Sequence, residues 1–365
     1  MTIAEDRSTM QLFTFDNLAQ RILYRYAFLF ADFVPIESDS VSIDAQHTFY
    51  TFCESIVRDV ADDPAILGVP TDRPDEWLSA HDVMNRHPEV YQVRNACQKA
   101  FYDLSGLLFA AGTHGEYRDG RLNLRLSDAP KLTGKTLGTF SALLARYGLS
   151  IEKNGDALSF SFPDCPDALL AWQLLARKCG ELPISPRDQA VRFLLWVHYD
   201  DPACFLEKIR ALLNLDEGFF EYVTVKYREQ DYEVHYKIDE YRGTCTYSKD
   251  VGGLSIEFTT LWPTVRFLNS TCIGIKAALA HADGMSNDIK RQLIKFCKPC
   301  NDCKGCTKGG KNMQFTVALH HDDTHRLCPE FVQMEWYNDD ISTEKIDFML
   351  ELNELQERYG KNWRK

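Results

Sequence analysis

Four cysteines fall at positions 297, 300, 303 and 306, in "FCKPCNDCKGC", each three residues after the last. A fifth follows at Cys328, in "RLCP". C-x₂-C is the spacing that lets two thiolates on one tight turn reach the same ion. Three such spacings in a row point to a metal centre. Four ligands complete one, and the sequence selects Cys300, Cys303, Cys306 and Cys328. Cys297 is set aside because it ends the helical pattern "SNDIKRQLIKFC". There Ile289, Leu293, Phe296 and Cys297 form one apolar stripe, and the C-terminal end of a helix disfavours a thiolate. His325 stands three positions before Cys328, the H-x₂-C ligand spacing, so a Cys₃His set is the alternative. Against it, "HHDDT" sits where a hairpin must turn, and turn residues point to water.

Two cofactors suit these ligands. Zn²⁺ favours Cys₄ sites in short loops beside a hairpin. A [4Fe-4S] cluster can be held by C-x₂-C-x₂-C with a remote C-P. The chain carries no G-x-G-x-x-G, no P-loop and no second cysteine set to exchange electrons with, so zinc is the first reading and iron–sulfur the alternative. "KPCNDCKGCTKGGKN" has almost no apolar residue and no core of its own, so metal binding there would act as folding energy.

The order of features from 186 to 350 resembles a group of clostridial proteins with no assigned activity. The shared features are an apolar element, a Tyr-rich meander, a helix, "C..C..C", a hairpin and "LCP". The resemblance covers about the C-terminal half and is tightest in "CNDCKGC" and "RLCP". It implies no activity.

The other seven of the twelve cysteines are scattered singly: Cys53, Cys97, Cys165, Cys179, Cys204, Cys245 and Cys272. They read as reduced, mostly buried side chains of a reducing compartment. The start, "MTIAEDRSTM", is no signal peptide, and no run reaches the roughly 18–20 apolar residues of a membrane helix. A soluble, cytoplasmic protein without membrane contact is expected. Net charge is −12, which opposes a nucleic-acid coat, since phosphate contacts need surplus Lys and Arg. Around the cysteines the balance reverses. Lys290, Arg291, Lys295, Lys298, Lys304, Lys308 and Lys311 face only Asp288 and Asp302. Balancing the negative charge of four thiolates on a divalent ion is the first reading of that patch, and a small phosphate-binding or nucleic-acid patch is the alternative.

No nucleophile–base set emerges elsewhere. His47, His81, His87, His114, His198, His235 and His281 share no motif, and Asp200 and Asp201 in "HYDDP" read as helix caps. The sequence therefore leans away from an enzyme.

These residues need elements to carry them. The chain reads as α+β in three parts. Residues 1–112 form a mostly helical domain, with helical spacing in "FDNLAQRILYRYAFLF", "HTFYTFCESIVRDV" and "VYQVRNACQKAFYDLSGLLFAAG". Residues 113–182 form a small α+β region, with hairpins at Asp119-Gly120 and Asn154-Gly155 and a helix after each. Residues 183–365 hold helices, an antiparallel meander and the Cys-rich module at about 297–328. The meander is expected across "FFEYVTVKYREQDYEVHYKIDEYRGTCTYS" and "GLSIEFTTLWPTVRFL", and a last helix in "TEKIDFMLELNELQERYG".

Overall fold

The computed structural model describes residues 15–73, 89–198, 202–238, 242–249, 252–259, 265–269, 315–320, 323–327, 335–337 and 341–360, with Asn287, Lys290, Arg291 and Ile294. The chain is mixed α and β. Its N-terminal part is built on α1 (Leu18–Leu29), α2 (Ile43–Asp62) and α3 (Glu89–His114). The expected periodicities hold. Asn17 caps α1 by accepting from the Gln20 amide, and Ser42 caps α2 by accepting from the Ala45 amide, each satisfying an orphan donor of the first turn.

Two hairpins follow. The first joins β1 (Glu116–Arg118) to β2 (Arg121–Arg125), and Asp119 and Gly120 both adopt positive φ, 54° and 72°. That is the pattern of a type I′ turn, whose twist matches the strands. The second joins β3 (Ser150–Asn154) to β4 (Ala157–Ser161). Here Asn154 pairs with Ala157, so the connecting residues are Gly155-Asp156, one place later than expected. Only Gly155 is at positive φ, 62°, as in a type II′ turn. β2 pairs with β4, so both hairpins merge into one antiparallel sheet in the order β1-β2-β4-β3. The helices between and after them are α4 (Gly134–Ala145) and α5 (Ala168–Gly180).

α3 and α5 meet closely. Trp172, on α5 and fully buried, donates its indole N–H to the Leu108 carbonyl of α3 at 2.7 Å. Gly112 lies beside this contact, where a Cβ would stand 2.6 Å from both Ala176 Cβ and Trp172 Cδ1. α6 (Pro186–Leu194) packs on the same pair of helices.

The C-terminal part opens with α7 (Pro202–Leu213) and α8 (Phe219–Arg228). Four strands follow: β5 (Glu233–Ile238), β6 (Arg242–Ser248), β7 (Gly253–Thr259) and β8 (Val265–Asn269). β9 (Phe315–His320) and β10 (Asp323–Leu327) form a separate hairpin. With β11 (Glu335–Tyr337), the first four make a five-stranded antiparallel sheet in the order β11-β8-β7-β6-β5. The meander thus begins at Glu233. "FFEYVTVKYR" is a helix instead of a strand. Phe219, Phe220, Val223 and Tyr227 form its buried stripe, and left-handed Gly218 starts it. Tertiary burial of that stripe overrides the β-preference of Phe, Tyr, Val and Thr. Within the sheet, Glu257 is buried and bonded by Arg242 at 2.7 Å and Arg266 at 2.5 Å, one guanidinium to each carboxylate oxygen. α9 (Thr343–Gly360) packs on α8. One connected cluster of buried apolar side chains runs from Leu18 to Leu352. No helix among the described residues is long and apolar enough to cross a membrane.

Candidate functional site

The expected metal ligands Cys300, Cys303, Cys306 and Cys328, and the excluded Cys297, lie outside the described residues. The chain on either side of them is described. Asn287, Lys290, Arg291 and Ile294 are helical, as the capped amphipathic pattern predicts, and Ile294 packs on the main core. Phe315 opens β9 and pairs with Leu327, the last residue of β10. The segment carrying three of the expected ligands therefore enters the hairpin at the same end from which Cys328 follows.

His325 is placed differently from the expectation. Asp323 pairs with His320, which leaves two residues between the strands, and His325 sits within β10 opposite Val317. Val317 and Leu327 are buried, and His325 is half-buried on their face of the ribbon. It is a strand residue, so its exclusion on the ground of a water-facing turn does not hold. Lys290, counted among the cations around the cysteines, is buried. Among the described residues no group of three or more His, Cys, Asp or Glu side chains is arranged to hold a metal ion.

Of the six scattered cysteines that are described, four are buried, and Cys165 and Cys204 are half-buried. Cys53, Cys97, Cys179 and Cys245 are buried free thiols. Burial pushes Cys97 and Cys245 up to about 12, and Cys53 and Cys179 well above the ordinary thiol value. A thiol held neutral is neither nucleophile nor ligand. Cys204, half-buried on α7, donates to an Asp32 carboxylate oxygen at 3.4 Å, and burial again raises its pKa. His198 places Nε2 3.0 Å from the Val34 carbonyl. Burial lowers its pKa, so the neutral ring donates there as a structural group.

No family model, curated protein or solved structure matches this chain. The site must be read from its own residues.

Beyond the cysteine segment, the described residues of α7, α8 and β5 line a groove of about 450 Å³. Leu206, Phe220 and Val225 supply apolar wall, and Val225 is 47% exposed. Thr224 lies between them and shares a hydrogen bond with the Tyr247 hydroxyl at 2.9 Å. Glu221 and Arg228 add one charge of each sign. The volume falls within the range of small-molecule sites, and an apolar wall with a few polar groups is their usual lining. Its described lining holds no Cys, Ser or His. Sequence reasoning missed it because α8 was assigned to the meander. The signal was present: left-handed Gly218, then apolar residues at i, i+1, i+4 and i+8.

Proposed function

We propose that the chain is a binding or regulatory module whose C-terminal segment is held by structural zinc on Cys300, Cys303, Cys306 and Cys328. The observation that carries this is the cysteine spacing: three C-x₂-C steps and a fifth cysteine before Pro329. The hairpin supports it, because its paired ends Phe315 and Leu327 lead toward Cys306 on one side and Cys328 on the other. The buried, neutral cysteines support a reducing, cytoplasmic setting. The groove on α7 and α8 supports recognition over catalysis.

The partner class follows from charge. With a net charge of −12, nucleic acid is disfavoured as the main partner. Burial of Lys290 removes one cation from any phosphate-binding patch. A second reading is an iron–sulfur redox protein using the same four cysteines, favoured by the single fact that the remote cysteine is followed by proline.

The test is metal analysis of protein purified without oxygen, for wild type and for single alanine variants. Zinc near one per chain, lost in Cys300→Ala, Cys303→Ala, Cys306→Ala and Cys328→Ala and kept in Cys297→Ala, is the expected result. Iron with sulfide and broad absorbance near about 400 nm would replace zinc by the second reading. Metal lost in Cys297→Ala and retained in Cys328→Ala would overturn the ligand set.

A further inference from the structure

Arg25 is a guanidinium inside the helical core. It lies on α1, is 1% exposed, and none of its three nitrogens has a hydrogen-bond partner among the described residues. A buried charge of this kind is strongly disfavoured unless something pairs with it. The groups around it are donors too. Its guanidinium carbon stands 4.0 Å from the centre of the Tyr26 ring, and that ring stacks on Phe101 of α3 at 3.5 Å. The Tyr26 hydroxyl turns toward Arg25 and Tyr102 and lacks an aligned partner among the described residues. Burial keeps its phenol protonated, so beside an oxygen that can accept it has one hydrogen to give.

α3 continues the pattern. Arg94, Gln98 and Tyr102 follow at four-residue intervals, so they share one face of the helix. The Gln98 amide nitrogen and the Arg94 Nε are both buried and without an acceptor among the described residues. Arg94 bonds Asn95 with its Nη2 at 3.5 Å and lies over the Tyr91 ring at 5.0 Å. At the outer edge, the exposed Arg187 of α6 lies over the Tyr102 ring at 3.8 Å. Arg25 and Tyr26 of α1 thus stand against Phe101 and Tyr102 of α3, Gln98 and Arg94 follow on the preceding turns of the Tyr102 face, and among the described residues no carboxylate is bonded to Arg25, Tyr26, Gln98 or Arg94.

We propose that Arg25, Tyr26, Arg94 and Gln98 form a buried site for a small oxyanion, of phosphate or carboxylate type. A guanidinium offers parallel N–H groups that match two oxygens of either. The amide and the phenol can serve the remaining oxygens. Two positive charges favour phosphate, and the enclosure of Arg25 and Tyr26 implies slow exchange, so the anion is taken up as the core closes.

The experiment uses the full chain, unfolded in denaturant to release any bound anion and refolded in chloride. Tm is then followed against inorganic phosphate, a phosphate monoester and acetate, at constant ionic strength. The expected result is a concentration-dependent rise in Tm for wild type, since a ligand that binds only the folded state stabilises it by mass action. Inorganic phosphate acting without the monoester marks a free ion as the source. Acetate acting without phosphate marks a carboxylate. Arg25→Met should show no response to any of the three. Gln98→Glu provides a second readout that does not depend on Arg25→Met folding. Its carboxylate supplies an internal acceptor, so it should be more stable than wild type in chloride and lose the phosphate response. Equal responses in wild type and both variants would overturn the site. So would a flat wild-type response with Arg25→Met as stable as wild type, which would make Arg25 a charge satisfied within the chain itself.

Discussion

Gly112→Ala adds one methyl group where α3 meets α5. In an ordinary helix interior this change stabilises by roughly 0.5–1 kcal/mol, because glycine carries extra backbone entropy. Here the added Cβ would stand 2.6 Å from Ala176 Cβ and from Trp172 Cδ1, and 2.8 Å from Trp172 Nε1. None of these atoms is the loose end of a flexible chain: Trp172 and Ala176 are both 0% exposed. Relief requires the two helices to separate, and overpacking of this kind costs about 1–3 kcal/mol. Separation also lengthens the 2.7 Å bond from Trp172 to the Leu108 carbonyl, worth about 1–1.5 kcal/mol when both groups are buried. The balance is a loss of roughly 2–3 kcal/mol. Urea unfolding should show a lower midpoint with an unchanged slope. A double-mutant cycle with Trp172→Phe should recover part of the loss, since phenylalanine has no indole nitrogen at the contact. A more stable Gly112→Ala would refute the reasoning, because it would mean helix propensity alone governs the position.

Glu257→Ala should destabilise by about 3 kcal/mol, since it takes from Arg242 and Arg266 their shared carboxylate; chemical denaturation of the variant checks this. His198 is held below its ordinary pKa in the folded chain, while the unfolded value is about 6.5. Protonation then favours the unfolded state, so stability present at neutral pH falls as pH drops through about 6.5 toward the folded value. His198→Gln should flatten that part of a Tm-against-pH curve, and an unchanged slope would exclude His198 as its source. Tyr222 donates to Asp347 at 2.5 Å, tying α8 to α9, so Tyr222→Phe should raise hydrogen exchange in α9 and lower stability by about 1 kcal/mol. If the cysteines hold structural zinc, chelator treatment should open new proteolytic sites between 297 and 330 and leave α1 to α3 resistant; identical digestion patterns with and without chelator would reject that.

Much of this architecture is legible in the sequence wherever one local pattern decides the outcome. α1, α2 and α3 carry their apolar residues at helical spacing, with Asn17 and Ser42 as caps. The Asp119-Gly120 turn announces its hairpin. Relations between distant segments were not readable. Nothing local in "RLNLR" or "ALSFS" specifies that β2 should pair with β4 and fuse two hairpins, because that register is set by the core under the sheet. α8 was misread because its composition is that of a strand and only its spacing is that of a helix. At the expected metal centre the ligand types follow from spacing alone, whereas the place of His325 depended on a two-residue connection that moved it from turn to strand. The donors around Arg25 were invisible for a different reason. An arginine in a helix reads as surface, and only packing reveals that its neighbours bury it.

β8 and β11 are hydrogen-bonded neighbours, with Leu268 opposite Glu335. Residues 270–334 lie between them in the sequence, the cysteine run included, and the β9–β10 hairpin within that stretch pairs apart from the five-stranded sheet. Closing such a long loop is only modestly more demanding than closing a short one, since each doubling of length adds about 0.6 kcal/mol. The sheet therefore tolerates the excursion as a graft. A tight turn from β8 to β11 would keep the strand order and, among the described residues, would lose the packing of Ile294, Val317 and Leu327 on the core. The same arrangement gives the graft leverage in return. If the cysteines hold an ion, Cys328 is tied to it seven residues before Glu335 opens β11. Metal occupancy would then be felt at β11, the edge of the sheet, and through the few residues that follow it at the start of α9.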